Sequence, residues 1–344
     1  MQKGLTIPKK GSVLRRKFWI GIIVSAVFLY LAFRRVDLHE LGFALRSANY
    51  LYVIPAILLT FLSFWTRAFR WRFLLGPVKQ VKTSHLFSAI MIGFMANNLL
   101  PARLGEFVRA YVIGKKEQIS SSSSFATIVI ERIFDGVTLL LFLIPVFFLP
   151  SSPRWVTKSG YIAAAIYLGI LAFLAALMIR TEQTQNLVDR FLRPFSVRWR
   201  QKVRGLLVSF TSGLAVLGSL GHLLIIFLLS LLLWFLVVGA IHLVFVSCGL
   251  KLPVYAGFLL LAIIALGVML PSSPGFVGTI QFLSVAGLAL FAVPKSQALG
   301  FSIVFHASQF IPVTAIGLVY LWYEQLSLRK LGVKKYLDNP SRLV

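Results

Sequence analysis

Two carboxylates and a guanidinium stand inside an apolar run: Glu131, Arg132 and Asp135 all fall within Phe125–Leu149. On a helix beginning near Ser123, the residues Ser124, Thr127, Glu131, Asp135 and Thr138 recur every three or four positions and share one face. Arg132 borders that stripe and is three residues from Asp135, close enough to pair with it. At about 1.5 Å per residue, Glu131 lies roughly 10 Å into the run and Asp135 close to halfway across an apolar layer of about 30 Å. Ionised groups at that depth cannot face lipid, so they pair with one another, meet a cation such as Arg103 or Arg109, or contact water or a ligand. Two chemistries fit. One is an ion-pair network that locks helices together; the other is a charged lining along which a polar head group passes.

The residues just upstream belong to the same argument. Asn97 and Asn98 close an apolar run that breaks at Pro101, and Arg103, Glu106 and Arg109 follow. The amides either cap backbone carbonyls or bind a head group. The arginines are either solvated loop residues or phosphate ligands, for which the planar guanidinium fork is suited. A second constellation runs from Pro271 to Gly278 and continues through Gln281, His306 and Gln309. Its Pro271, Pro274, Gly275 and Gly278 would unwind a helix and leave backbone N–H groups beside small side chains, a surface suited to an anion. A plain turn between two helices is the other reading. His306 is either a core histidine or a proton carrier. The histidines show no metal-ligand spacing, the single Cys248 forms no disulfide, and no Gly-rich phosphate loop marks a nucleotide site. Neither metal, cofactor nor catalytic residue is expected.

These groups need apolar elements to hold them, and the composition supplies little else. Of 344 residues 58% are hydrophobic and 13% charged, with a mean hydropathy of +0.86, far too apolar for a soluble globule. The sequence therefore predicts an all-α polytopic membrane protein. Its net charge of +25 is dealt among short loops rather than gathered in one basic domain, which points to membrane topology and not to a nucleic-acid partner. A basic N-terminal tail, 1–17, precedes the run Phe18–Phe33, which is followed by Arg34–Arg35 rather than a cleavage site and so is a retained first helix. Further runs are Tyr50–Trp65, His85–Leu100, Phe125–Leu149, Tyr161–Ile179, Leu206–Leu220, His222–Ser247, Tyr255–Leu270, Phe276–Val293 and Ala298–Trp322.

Not all of them are long enough to cross a bilayer. About six full transmembrane helices are expected, beginning near Phe18, Tyr50, Phe125, Tyr161, His222 and Ala298. His85–Leu100 and the pair Tyr255–Leu270 with Phe276–Val293 are two re-entrant, broken elements, and Leu206–Leu220 is an interfacial helix. With both termini cytoplasmic, segments 1–17, 67–82, 101–119, 180–204 and 323–344 carry most of the 35 Lys and Arg. Arg34, Arg35, Arg46, Arg154, Lys158, Lys251 and Lys295 fall in exterior segments and Arg132 inside a span, a strong positive-inside bias. Both Leu100–Gly105 and Leu270–Gly275 spell Leu-Pro-x-x-x-Gly at the tips of the short elements, entering from opposite faces, the pattern of an inverted repeat.

At these residues a resemblance is visible. Asn98-Leu-Leu-Pro101-Ala-Arg103-Leu-Gly105-Glu106, then Glu131-Arg132-x-x-Asp135, then Pro271-x-x-Pro274-Gly275-x-x-Gly278 look like the lysylphosphatidylglycerol synthase transmembrane-region family, across residues 15 to 325. That family includes the flippase half of MprF proteins. The resemblance implies a flippase-like domain over 18–322, a basic tail over 323–344, and movement of lysylphosphatidylglycerol or a related phospholipid between leaflets of the plasma membrane. On the transport reading the expected substrate-binding residues are Asn97, Asn98, Arg103, Glu106, Arg109, Glu131, Arg132, Asp135, Pro274, Gly275, Gly278, Gln281 and His306. Many members carry an acid where Gln281 stands and an arginine where His306 stands. Here both are neutral at pH 7, as if a charge pair had been removed together, a departure that bears on the lysyl-lipid substrate. No aminoacyl-transferase domain follows Trp322, so the chain is not expected to synthesise the lipid. The other readings are a membrane-embedded transferase acting on a lipid or polyprenyl phosphate, and a scaffold for a separate lipid-modifying enzyme. Homo-oligomerisation is compatible with each.

Overall fold

The computed structural model describes residues 11–100, 104–147, 220–268 and 272–326, together with residues 162, 165, 168, 169, 190 and 205. Every regular element among them is a helix, as the sequence predicts. Helix α1 (Gly11–Phe33) begins inside the basic N-terminal segment. Helix α2 (Leu38–Ser47) lies in a stretch read from the sequence as exterior loop. Its start is fixed by Asp37, whose side chain accepts from the His39 and Glu40 N–H groups at 2.7 and 3.2 Å.

The largest difference from the sequence reading is in α3 (Val53–Leu75), which follows a 3-10 turn at Tyr50–Tyr52. The apolar run ends at Trp65, but the helix continues to Leu75. Arg67 and Arg70 are therefore buried helix residues and not part of a cytoplasmic loop. Ala56, Thr60, Ser63, Phe64, Arg67, Arg70, Trp71 and Leu74 are buried along one face. Leu58, Leu62, Trp65 and Phe69 point outward on the other, an apolar surface that suits lipid. Among the described residues, Tyr50–Leu75, Gly221–Ser247 and Lys295–Tyr323 are long and apolar enough to cross a membrane.

Most of the other described helices follow the apolar runs, with Gly105–Glu117 the exception. Helices α4 (Thr83–Leu99) and α5 (Gly105–Glu117) flank the first break, so the segment expected as loop after Pro101 is a helix returning along α4. Next come α6 (Ser121–Phe147) and α7 (Leu220–Ser247). The second broken element is α8 (Val254–Gly267), a 3-10 turn at Pro274–Phe276 and α9 (Thr279–Ala289), and α10 (Lys295–Tyr323) ends the described fold. The span expected over Tyr161–Ile179 and the interfacial helix over Leu206–Leu220 fall outside the described residues apart from single positions. So do Pro101, Arg103 and Pro271.

Helix α10 serves as a ruler for how the two broken elements enter. At its C-terminal end Glu324 pairs with Lys116 and accepts from Ser88 Oγ at 3.0 Å, which places the base of the α4–α5 pair there. About two-thirds of the way along α10, Asn98 Nδ2 donates to Thr314 Oγ1 at 2.8 Å. The second pair has its base at the N-terminal end of α10, because α9 ends at Ala289 and a short turn leads directly into Lys295. Its tip reaches the middle: a Cβ on Gly275 would lie 2.6 Å from the Phe310 ring and 3.2 Å from the Asn98 carbonyl oxygen. The two breaks thus enter from opposite ends and meet beside Pro312, the proline inside α10. Broken backbone at such a depth is tolerated only where protein covers it or where it lines a water-filled cavity.

Candidate functional site

Four helices converge on the polar stripe of α6. Glu131 is 0% exposed and lies 2.7 Å from Arg67, 3.3 Å from Arg70, 2.7 Å from Arg109 and 2.8 Å from Arg132. Asp135 pairs with Arg70 at 2.8 Å, Arg67 at 3.0 Å and Arg132 at 3.4 Å. Helix α7 closes the cluster: Trp234 Nε1 donates to Asp135 at 3.2 Å, and Arg70 donates to Ser230 Oγ at 2.6 Å. Arg109 reaches Glu131 through both terminal nitrogens, at 3.1 and 2.7 Å, and its guanidinium carbon lies 3.7 Å from the Trp71 ring centroid. Trp71 is itself pinned by donation to Thr127 Oγ1 at 2.8 Å. Arg67 lies over Phe94 of α4, 5.5 Å from its centroid.

The structure brings Arg109, Glu131, Arg132 and Asp135 together, and Glu106 is within electrostatic reach of Arg132. The sequence reading misses Arg67, Arg70 and Trp234. The available clue to the first two was spacing, because Arg67 and Arg70 continue the three-and-four periodicity of Thr60, Ser63 and Phe64 beyond the end of the apolar run. Arg103 lies outside the described residues.

Asn97 and Asn98 work at the break. Asn97 Oδ1 accepts the Gly105 N–H at 2.7 Å, capping α5 across the gap, and Asn98 holds α10 through Thr314. Close packing requires Gly105, where any Cβ would collide with the Gly93 carbonyl oxygen.

The second break is a closed hydrogen-bonded loop. Gly278 N–H donates to Gln281 Oε1 at 2.7 Å, Gln281 Nε2 lies 3.0 Å from His306 Nδ1, and His306 Nε2 lies 2.9 Å from the Gly275 carbonyl oxygen. A carbonyl can only accept and an amide NH2 only donates, so the imidazole carries its proton on Nε2 and is neutral. Ser273 N–H donates to Ser25 Oγ of α1 at 2.8 Å. The N–H groups of Ser273 and Gly278, expected to be open to an anion, are instead bonded internally, as buried backbone donors require. Gly275 (φ 69°) and Gly278 (φ 85°) supply the backbone that closes the loop. Gln309 is elsewhere, donating to Thr60 Oγ1 at 2.8 Å. Among the described residues no group of three His, Cys, Asp or Glu side chains gathers as metal ligands would.

A charged cluster beside two opposed helix breaks is the architecture on which the sequence comparisons bear. The family described as the lysylphosphatidylglycerol synthase TM region matches residues 18–317. The chain belongs to that family. A UPF0104 membrane protein of Methanothermobacter thermautotrophicus is 26% identical over 329 residues, 90% of this chain and 96% of that protein. A second UPF0104 protein of the same organism is 27% identical over 300 residues, 80% and 84% of the two chains. Glycosyltransferase AglD of Haloferax volcanii is 28% identical over 330 residues, which cover 86% of this chain and 52% of that protein, so this chain spans about half of its length. No solved structure matches. As a member of this family the chain is a membrane protein, and the arginines of α3, α5 and α6 lie among its membrane helices.

Proposed function

We propose that the protein carries a phospholipid between the leaflets of a cell membrane, both termini being cytoplasmic. The observation that carries this reading is the cluster itself: Arg67, Arg70, Arg109 and Arg132 gather on Glu131 and Asp135, leaving guanidinium in excess inside an apolar fold. A purely structural network does not need that surplus, and phosphate is the anion that a guanidinium fork grips best. The opposed breaks support the same reading, since discontinuous helices meeting at mid-depth are a recurring transporter design. The head group follows the polar seam while the acyl tails stay in the bilayer, and no covalent step is required.

The test is reconstitution of the purified chain in liposomes with a fluorescent phospholipid in both leaflets. Leaflet exchange above protein-free vesicles is expected, with Arg132→Gln slowing it; exchange equal to empty vesicles refutes the reading. AglD favours a second one, in which this domain is the membrane partner of an enzyme that modifies a lipid. New lipid products on addition of a glycosyl donor and a cell extract, with no exchange, would favour that second reading.

A further inference from the structure

The charge cluster is open along one edge only. The side chains of Arg67, Arg70 and Arg109 are 7%, 0% and 3% exposed, whereas that of Arg132 is 35% exposed. Both Glu131 and Asp135 are sealed, and each already pairs with Arg67, Arg70 and Arg132. At that edge an approaching head group meets Arg132 and the half-buried Glu106, with Glu131 and Asp135 sealed behind them. Glu106 acts on Arg132 as well, yet among the described residues of the cluster the guanidiniums still outnumber the carboxylates. The opposing tip adds no charge, since Gln281 and neutral His306 are bonded to each other and to the backbone at Gly275 and Gly278.

We infer that the head group taken by this site is a phosphate bearing only uncharged polar groups, that Arg132 is the side chain that meets it, and that a lysyl or other cationic head group is disfavoured. The inference rests on the transport reading for its ligand being a lipid, and it names that lipid's class. Selectivity comes from repulsion at the open edge as much as from attraction to it.

Binding separates this claim from transport. The full chain in detergent is titrated with short-chain phosphatidylglycerol, short-chain lysylphosphatidylglycerol and soluble glycerol 3-phosphate. The readout is tryptophan emission, because Trp71 and Trp234 touch the cluster. Phosphatidylglycerol is expected to bind about ten-fold more tightly than either of the others, the worth of one charge-assisted contact. Arg132→Gln should remove most of that preference and Arg132→Lys should restore part of it. Equal or reversed affinity for the lysyl lipid in the wild-type chain overturns the inference, as does an Arg132→Gln chain that keeps the preference. Glycerol 3-phosphate binding as tightly as the lipid makes the ligand a soluble phosphate and overturns it too. Selective binding without leaflet exchange in vesicles ends the transport reading and leaves this one standing. Exchange of both lipids at equal rates, with equal binding, does the reverse.

Discussion

Replacing Glu131 with glutamine removes one charge and almost nothing else. The wild-type carboxylate touches four guanidiniums between 2.7 and 3.3 Å and is 0% exposed. In the Glu131→Gln chain Asp135 can still pair with Arg67, Arg70 and Arg132, but Arg109, stacked on Trp71, loses the carboxylate that both its terminal nitrogens hold. Removing one partner of a buried pair costs about 3–5 kcal/mol, because the charge left behind has neither water nor counter-ion. An exposed pair would lose about 0–1 kcal/mol, so the measurement separates the two situations. The assay is unfolding of the purified chain in mild detergent by graded SDS, followed by helical circular dichroism. The double variant Glu131→Gln with Arg109→Gln should be less destabilised than the sum of the singles by about 1–3 kcal/mol, since the stranded cation leaves with its partner. If Glu131→Gln unfolds within about 0.5 kcal/mol of wild type, or the two changes add, then the cluster is not the buried network described here.

Further outcomes follow from the same geometry. Gly278→Ala combines a backbone with φ 85° and a collision with the Ser25 carbonyl oxygen, so a loss of about 2 kcal/mol or more is expected in the same unfolding assay. Gln281→Glu buries a carboxylate beside a neutral imidazole and should cost about 3 kcal/mol, and adding His306→Arg should recover at least half of it by restoring a pair; equal damage from single and double variants would show that the two side chains do not act together. At the loop-side end of α5, burial alone would raise the Glu117 carboxyl, but hydrogen bonds from His85 and Lys79 and their charges hold it below its usual 4.5. A depressed carboxyl stabilises the fold above its unfolded pKa and loses that contribution as pH falls through the folded value. Melting temperature should therefore drop below about pH 4.5, and Glu117→Gln should flatten that part of the profile.

Glu131 and Asp135 are legible in the sequence because acids inside a run of Ile, Val, Leu and Phe have few physical explanations. The breaks at Asn97–Gly105 and Pro274–Gly278 are legible for the same reason: Pro, Gly and Asn interrupt otherwise apolar runs at a depth where interruption is costly. Arg67 and Arg70 are hidden because hydropathy falls at Trp65 and arginine beyond an apolar run ordinarily means water. Only the buried partners, 64 and 65 residues further on, make them helix residues. Helix α2 is hidden because capping by Asp37, not an apolar run, defines it. Backbone bonding at the second break is also invisible in one dimension, since Ser25 and His306 reach it from the two ends of the chain.

The separation between Arg67 and Glu131 also constrains how the protein is made. Helix α3 leaves the ribosome with two arginines on its inner face, and the carboxylates that neutralise them are encoded 64 and 65 residues later. An unpartnered arginine costs up to about 2.5–3.5 kcal/mol at the centre of an inserting helix, and Arg67 and Arg70 stand in the C-terminal half of α3. Helix α3 is therefore expected to wait at the insertion site, or to stay partly withdrawn toward the ribosome, until α6 emerges. Crosslinking of arrested nascent chains should find α3 beside the insertion machinery before α6 is complete and beside α6 afterwards.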